Sequence, residues 1–257
     1  MDEAAAAGGE RLSATSRHVV FAPLDSGGRV DVVARRISEA IGLGLLADKE
    51  QLPSEVELAD ALKVSTVTLR EALSLLRHRG LVETRRGRGG GSFVRAPVDG
   101  SVQRLRTLLR DIGVHELREI GDHHVAIAGT AARLAAERAS TEHIKRLHSL
   151  VDQLSTAESA GDRRRADGRF HIEVAAAAQS TRLAREEIDI QGEIGELLWI
   201  PFGEAIEREQ AVEQHLTILE AIKNGAGERA RAATEHHIEL GITRLIDFHL
   251  QLAKRDA

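Results

Sequence analysis

The chain has 257 residues, with 40 acidic and 35 basic side chains, a formal net charge of −5 and no cysteine. Without cysteine, disulfides and thiolate metal sites are excluded, and no apolar run approaches the roughly 18 residues of a membrane-spanning helix. Aromatic residues make up only 2% of the chain, so aliphatic side chains and alanine have to form the core. This composition favours packed helices over a sheet sandwich.

The N-terminus lacks the basic start and apolar stretch of a secretion signal, so we expect 1–27 to be a loose tail and the protein to be cytoplasmic. Charge is unevenly distributed beyond it. Residues 63–95 carry eight basic and two acidic side chains, a net +6, whereas 98–257 carry 21 and 27, a net −6. The imbalance favours a polyanion-binding module joined to a carrier with another role, although chance clustering on a solvated surface explains the charge equally well.

Residues 28–95 begin with three helical patterns. The apolar residues of 28–41 recur at helical spacing, Ser54 and Glu57 predict a capping box, and Ser65 stands where it could cap a third helix. Two helices joined by a short turn can place the second one in the major groove of DNA. The pattern therefore predicts a helix-turn-helix.

A hairpin pattern follows these helices. Residues 81–84 and 92–94 are strand candidates on either side of an Arg- and Gly-rich turn at 85–91. Guanidinium groups on a glycine-rich backbone can approach a phosphate or a groove closely. A hairpin in this position is the wing of a winged helix-turn-helix.

The run LPSEVELADALKVSTVTLREALSLLRHRGLVETRRGRGGGSFV resembles the winged-helix DNA-binding domain of GntR-family bacterial transcriptional regulators. The resemblance implies that the start of the recognition helix, the arginine of LREAL and the wing tip contact DNA. We add the neighbouring Thr66 to these expected contacts. We also add the extra arginines of the wing, which we expect to contact phosphates. The expected DNA-binding residues are Ser65, Thr66, Thr68, Arg70, Arg85, Arg86, Arg88 and Gly89.

Two positions depart from the family's pattern. Val56 and Thr66 stand where the family commonly has arginine. An arginine that pairs bidentately with guanine contributes roughly 1–3 kcal/mol of discrimination between bases. The family's usual operator sequence therefore cannot be carried over to this chain.

Beyond a linker at 96–100, the segment 101–257 shows only helical patterns, and it predicts an all-α bundle of six or seven helices. The chain as a whole is thus predicted to be mostly α, with a winged helix-turn-helix ahead of the bundle. The predicted helices are 101–112, 115–139, 141–159, 163–178, 180–200, 204–224 and 226–253.

Four polar residues share apolar stripes in this bundle. Asp167 and His171 lie in line with Phe170 and Val174, and His215 and His237 occupy the apolar stripes of two later helices. A divalent cation would satisfy a buried carboxylate and several imidazoles together. Helical phase alone leaves open the alternative that each histidine is separately hydrogen-bonded in the core.

Residues 163–240 also resemble the all-helical FCD-type effector domain of many GntR regulators, which carries D-x-x-x-H on one helix and single histidines on two later ones. The resemblance implies that Asp167, His171, His215 and His237 bind a divalent metal at the floor of an effector pocket. Zinc is the first expectation, and nickel, cobalt or manganese would suit the same donors. His124, where the family often has arginine, is a candidate effector contact.

These patterns lead to a homodimeric, non-enzymatic DNA-binding regulator, expected to be a repressor controlled by a small carboxylate. One rival hypothesis is a helical metallohydrolase that uses the Asp/His cluster, although four protein ligands leave little room for a catalytic water. Another is a DNA-binding dimer without any effector. A fatty acyl-CoA sensor of the same superfamily would not need the metal ligands.

Overall fold

The computed structural model describes residues 30–96, 102–200 and 205–255. Contacts between residues divide the chain into two compact units, with the division between Ala96 and Pro97. The expected tail at 1–27 lies outside the described residues, as does most of the expected linker at 96–100. Among the described residues, no helix combines the length and the apolar character needed to cross a membrane.

The N-terminal unit contains a helix-turn-helix built on a first helix. Helix α1 (Val30–Gly42) packs against α3 (Thr66–His78), which also packs against α2 (Glu55–Leu62). The capping box predicted from Ser54 and Glu57 is present at the start of α2. Helix α2 ends because Lys63 adopts a left-handed backbone conformation, with φ at 55°, which turns the chain toward α3.

Two short strands follow α3, as the sequence predicted. Strand β1 (Val82–Arg85) pairs antiparallel with β2 (Gly91–Val94), and an isolated bridge between Gln51 and Phe93 ties the hairpin to the segment before α2. At the tip, Gly87 and Gly89 have positive φ values of 99° and 84°, which glycine adopts without strain.

The C-terminal unit is helical throughout its described part, which confirms the predicted fold class. Its helices are α4 (Val102–Asp111), α5 (Val114–Arg138), α6 (Thr141–Thr156), α7 (Ala160–Ala177), α8 (Thr181–Ile190), α9 (Glu196–Leu198), α10 (Ala205–Lys223) and α11 (Gly227–Arg255). The long helices α5 and α11 pack along each other, α7 packs against α5 and α6, and α10 packs against α11 and α6. Gly121 of α5 allows the close approach of α11, since a Cβ there would lie 3.0 Å from the Ile242 side chain.

The single helix predicted over 180–200 is wrong in one respect. Residues Gln191–Gly195 form a π-helical turn between α8 and the short α9. Such a turn is equivalent to one extra residue inserted into an α-helix. Hydrophobic periodicity averages over this shift, and the sequence pattern therefore missed it.

Helix α7 is buried on nearly all sides. From Phe170 to Ala178 only small or apolar residues accompany His171 and Glu173, and all nine residues are buried. A core helix of this kind leaves its polar side chains no access to bulk water, so they have to find partners inside the protein.

Candidate functional site

The four candidate metal ligands converge inside the C-terminal unit. Asp167 and His171 come from α7, His215 from α10 and His237 from α11, and one ligand atom of each lies within 4.8 Å of the others. Asp167, His171 and His215 are at most 5% exposed. Because residues from three helices meet at one point, the tertiary fold rather than any local motif forms the cluster.

The nitrogen atoms that face one another are all Nε2. The Nε2 of His237 lies 3.2 Å from that of His171 and 3.3 Å from that of His215, and the His215 Nε2 lies 3.3 Å from Asp167 Oδ1. Ligand nitrogens about 2.1 Å from one ion are separated by about 3.0 Å in cis octahedral geometry and about 3.4 Å in tetrahedral geometry. These three separations fit a shared cation.

Neighbouring side chains orient two of the imidazole rings. The Nδ1–H of His237 donates to Gln214 Oε1 at 2.7 Å, which leaves the Nε2 lone pair directed at the cluster. The ring of His215 stacks on Phe170, with centroids 4.2 Å apart and the planes 10° from parallel. The donor set of three imidazoles and one carboxylate suits zinc and other divalent transition metals.

Burial and mutual charge favour the protonation state that binds a metal. Burial lowers the pKa of His171 to about 4, although the Asp167 carboxylate opposes this shift, and burial beside the other imidazoles lowers the pKa of His237 well below its usual value. Burial acts to raise the pKa of Asp167, but the hydrogen bond from His215 and the nearby imidazoles outweigh it and hold the pKa well below its usual range.

The structure brings His124 next to this cluster. Its ring centroid lies 5.9 Å from that of His171, and its Nε2 lies 2.9 Å from Glu187 Oε1, which also accepts from Gln191 Nε2 at 3.0 Å. All three side chains are at most 1% exposed. The sequence analysis missed both carboxylate and amide: Glu187 lies on the inward stripe of α8 with Ala184, and Gln191 follows one turn later at the start of the π-helical turn, so helical phase could have found them. No pattern in the sequence indicates the contact between Gln214 and His237.

A cavity of about 30 Å³ lies beside the cluster. This volume accommodates about one water molecule. A larger ligand has to displace side chains to enter. The cavity is lined by His124, Asp167, His171, Leu198, Trp199, Ala211, His237, Ile238 and Gly241.

In the N-terminal unit, the expected DNA contacts at the start of α3 are accessible to different degrees. Ser65 is exposed, but its Oγ accepts from the Thr68 backbone N–H and lies 2.9 Å from Thr68 Oγ1. Thr66 and Thr68 are half-buried, and exposed Arg70 donates from Nε to Glu55 Oε2 at 2.7 Å. Arg70 is therefore oriented by α2.

The wing arginines also differ. Arg85 pairs with Glu83 at 2.7 Å, and its guanidinium lies 4.3 Å from the centroid of the Phe93 ring. Arg86, Arg88 and Gly89 are exposed at the turn. Arg85 thus helps hold the hairpin together, while Arg86 and Arg88 extend beyond it.

Comparison with known proteins identifies both units. Residues 29–91 match the family described as "Bacterial regulatory proteins, gntR family", and residues 101–240 match the FCD domain. The chain belongs to the GntR family and carries an FCD domain. This confirms the family predicted from sequence and makes the protein a transcriptional regulator rather than an enzyme.

Individual relatives agree with this assignment. The chain is 46% identical over 226 residues to RmpR of Mycobacterium gastri, by name an HTH-type transcriptional regulator, covering 87% of this chain and 82% of the relative. It is 30% identical over 233 residues to an Escherichia coli K12 protein whose name assigns it to the L-lactate dehydrogenase operon, covering 85% and 86%. The E. coli McbR/YncC structure shares the fold, with a TM-score of 0.51, 18% identity and coverage of 84% and 96%.

The pKa of His171 predicts a pH-dependent stability of the metal-free GntR-family chain. In the folded state the imidazole of His171, with its pKa of about 4, stays neutral down to about that pH. In the unfolded chain the same imidazole is protonated near its ordinary pKa of 6.5. Neutral His171 therefore makes its full contribution to the free energy of unfolding above about pH 6.5, and this contribution is lost as the pH falls toward 4. Melting temperatures of chelator-treated protein between pH 7 and 4 should fall less steeply in His171→Gln than in the exposed control His236→Gln. Parallel curves would contradict the assignment of this shift.

Proposed function

We propose that this regulator is a homodimeric repressor, and that a small carboxylate bound beside a divalent metal in the FCD domain releases it from its operator. The observation that carries the proposal is the convergence of three imidazole Nε2 atoms and one carboxylate oxygen within 4.8 Å in a buried site.

Hydrogen bonding alone accounts poorly for this convergence, which supports a bound cation. A neutral imidazole has one donor nitrogen and one acceptor nitrogen. His237 uses its donor on Gln214, so its Nε2 presents a lone pair to the Nε2 atoms of both His171 and His215. The single proton on the His215 Nε2 cannot serve both Asp167 Oδ1 and the His237 Nε2, which each lie 3.3 Å away, whereas one divalent ion accepts a lone pair from all of these groups. Zinc fits the donors, as do nickel, cobalt and manganese.

The position of the cavity supports a carboxylate effector. A divalent ion at the cluster would supply a Lewis-acid position for an anionic oxygen. The cavity borders three of the four metal ligands and His124, so a small acid on the metal would meet the His124 ring. The E. coli relative is named for the L-lactate dehydrogenase operon, which makes L-lactate a suitable first probe.

Release from DNA is expected to follow from a difference in affinity between two conformations. A dimer presents two recognition helices to paired half-sites, and each winged helix alone reads few bases. An effector that has to enlarge a cavity of about 30 Å³ favours a different packing of the bundle. If that packing changes the spacing of the recognition helices, the operator is released, and DNA weakens effector binding by the same factor.

Replacement of one ligand should remove the metal. His215→Ala should lose stoichiometric metal, measured by elemental analysis of purified protein, because it removes the most deeply buried of the three Nε2 donors. The matched control is His236→Ala, which removes the exposed neighbour of His237 and should retain the metal. DNA affinity should stay measurable in both variants. Metal retained in His215→Ala would show that the ligands are wrongly assigned.

Effector control can be tested on operator DNA obtained by sequencing the genomic fragments that the purified protein retains. Titration of metal-loaded protein with L-lactate, pyruvate and propionate should lower operator affinity at least tenfold for one of them, and chelator treatment should abolish the effect. If the protein holds metal but no small acid changes either operator affinity or melting temperature, the FCD domain acts without an effector of this class.

The exposed wing arginines should contribute to the salt dependence of binding. Arg86→Ala with Arg88→Ala should reduce the slope of log affinity against log salt concentration by about one to two units, since each lost phosphate contact is worth about 0.9. The control replaces Arg182 and Arg229, two exposed arginines of the FCD domain, and makes the same change in net charge. Equal slopes for the two double variants would exclude phosphate contacts by the wing.

A further inference from the structure

Helix α3 has an outward stripe opposite its core-facing side. Leu69, Ala72, Leu73 and Leu76 are buried against the rest of the N-terminal unit. The positions that face away repeat at intervals of three and four residues, and Val67 is the first of them, with 60% of its surface exposed. The others are Arg70, Glu71 and Ser74.

Three polar side chains near the start of α3 already have partners. The hydroxyls of Ser65 and Thr68 bond to each other, and Ser65 also caps the helix. Arg70 is paired with Glu55. Val67 therefore lies at the start of the helix among polar side chains that already use part of their hydrogen-bonding capacity. Its two methyl groups offer an apolar surface to a partner.

A recognition helix contacts base edges mainly with its N-terminal residues. In the major groove every base pair presents hydrogen-bonding groups, but only thymine presents an apolar group, its C5 methyl. Single exposed apolar side chains are common on protein surfaces, so exposure alone assigns nothing to Val67. What distinguishes Val67 is its position on the outward stripe in the first turn of the DNA-binding helix, where a side chain can contact base edges.

We propose that Val67 is a specificity-determining residue that packs against the methyl group of one thymine in each operator half-site. The inference rests on the DNA-binding role of the GntR family and is independent of the metal and the effector. It also gives a chemical basis for an operator that differs from one read by arginine at the neighbouring position, which is Thr66 in this chain.

Val56 provides a matched control within the same unit. It is also an exposed valine, at 69%, and it is the second residue of α2. In a helix-turn-helix the first helix crosses the DNA backbone, which offers a valine no thymine methyl to contact. Val56→Ala removes the same atoms as Val67→Ala, but it should leave base preference unchanged.

The test uses the full-length, metal-loaded protein and duplexes selected from a random-sequence library. Each enriched thymine is then replaced by deoxyuridine, which removes only the methyl group. In the wild type and in Val56→Ala, replacement of the contacted thymine in one half-site should weaken binding about fourfold, the loss expected for one buried methyl group. In Val67→Ala the same replacement should have no further effect, because the variant no longer makes the contact.

Three outcomes would overturn the inference. These are a deoxyuridine penalty of equal size in wild type and Val67→Ala, the absence of any sensitive thymine, and a penalty that disappears in Val56→Ala instead. Because Val67 is exposed, unchanged melting temperatures should verify that the variants fold. A failure here leaves effector control intact, since that is read from the response of operator binding to metal and acid.

Discussion

A carboxylate and three imidazoles cannot share a buried site unless their charges and lone pairs are compensated. Asp167 is 5% exposed and His215 is fully buried, and both lie in the core of the C-terminal unit. Removing such groups from water costs free energy unless each finds a partner of complementary character. Much of the unit can be understood from this constraint: the C-terminal half of α7 is buried, Phe170 supports the His215 ring, and Gln214 fixes the tautomer of His237.

The two units differ in where their functionally important charges lie. The segment 63–95 places its excess of arginine on a hairpin and on the outward side of a helix, where water and DNA phosphates can both solvate the charge. In the C-terminal unit the important charges are few and buried, so the surrounding protein controls their protonation. Binding of a polyanion and binding of a small ligand can therefore be tuned by substitutions in separate parts of the chain.

Periodic features were predictable from the sequence. The apolar stripes located the helices, and they placed Asp167, His171, His215 and His237 on inward faces; the resemblance to FCD domains then selected metal binding over separate hydrogen bonds. The partnership of His124 with Glu187 was not predictable, because it joins residues 63 positions apart through tertiary packing. The roles of Arg85 and Arg70 were also hidden, since a sequence does not reveal which carboxylate an arginine meets.

The π-helical turn at Gln191–Gly195 determines what the deletion of one residue would do to this part of the chain. Successive residues of an α-helix are about 100° apart around the axis. Deleting one residue within the turn would restore regular α-helix and rotate α8 against the segment that follows it by about that angle. Ile190 and Leu197 now lie buried on either side of this register shift. A single deletion within the turn would therefore turn a different set of side chains toward the cavity, without substitution at Leu198 or Trp199, which line it now.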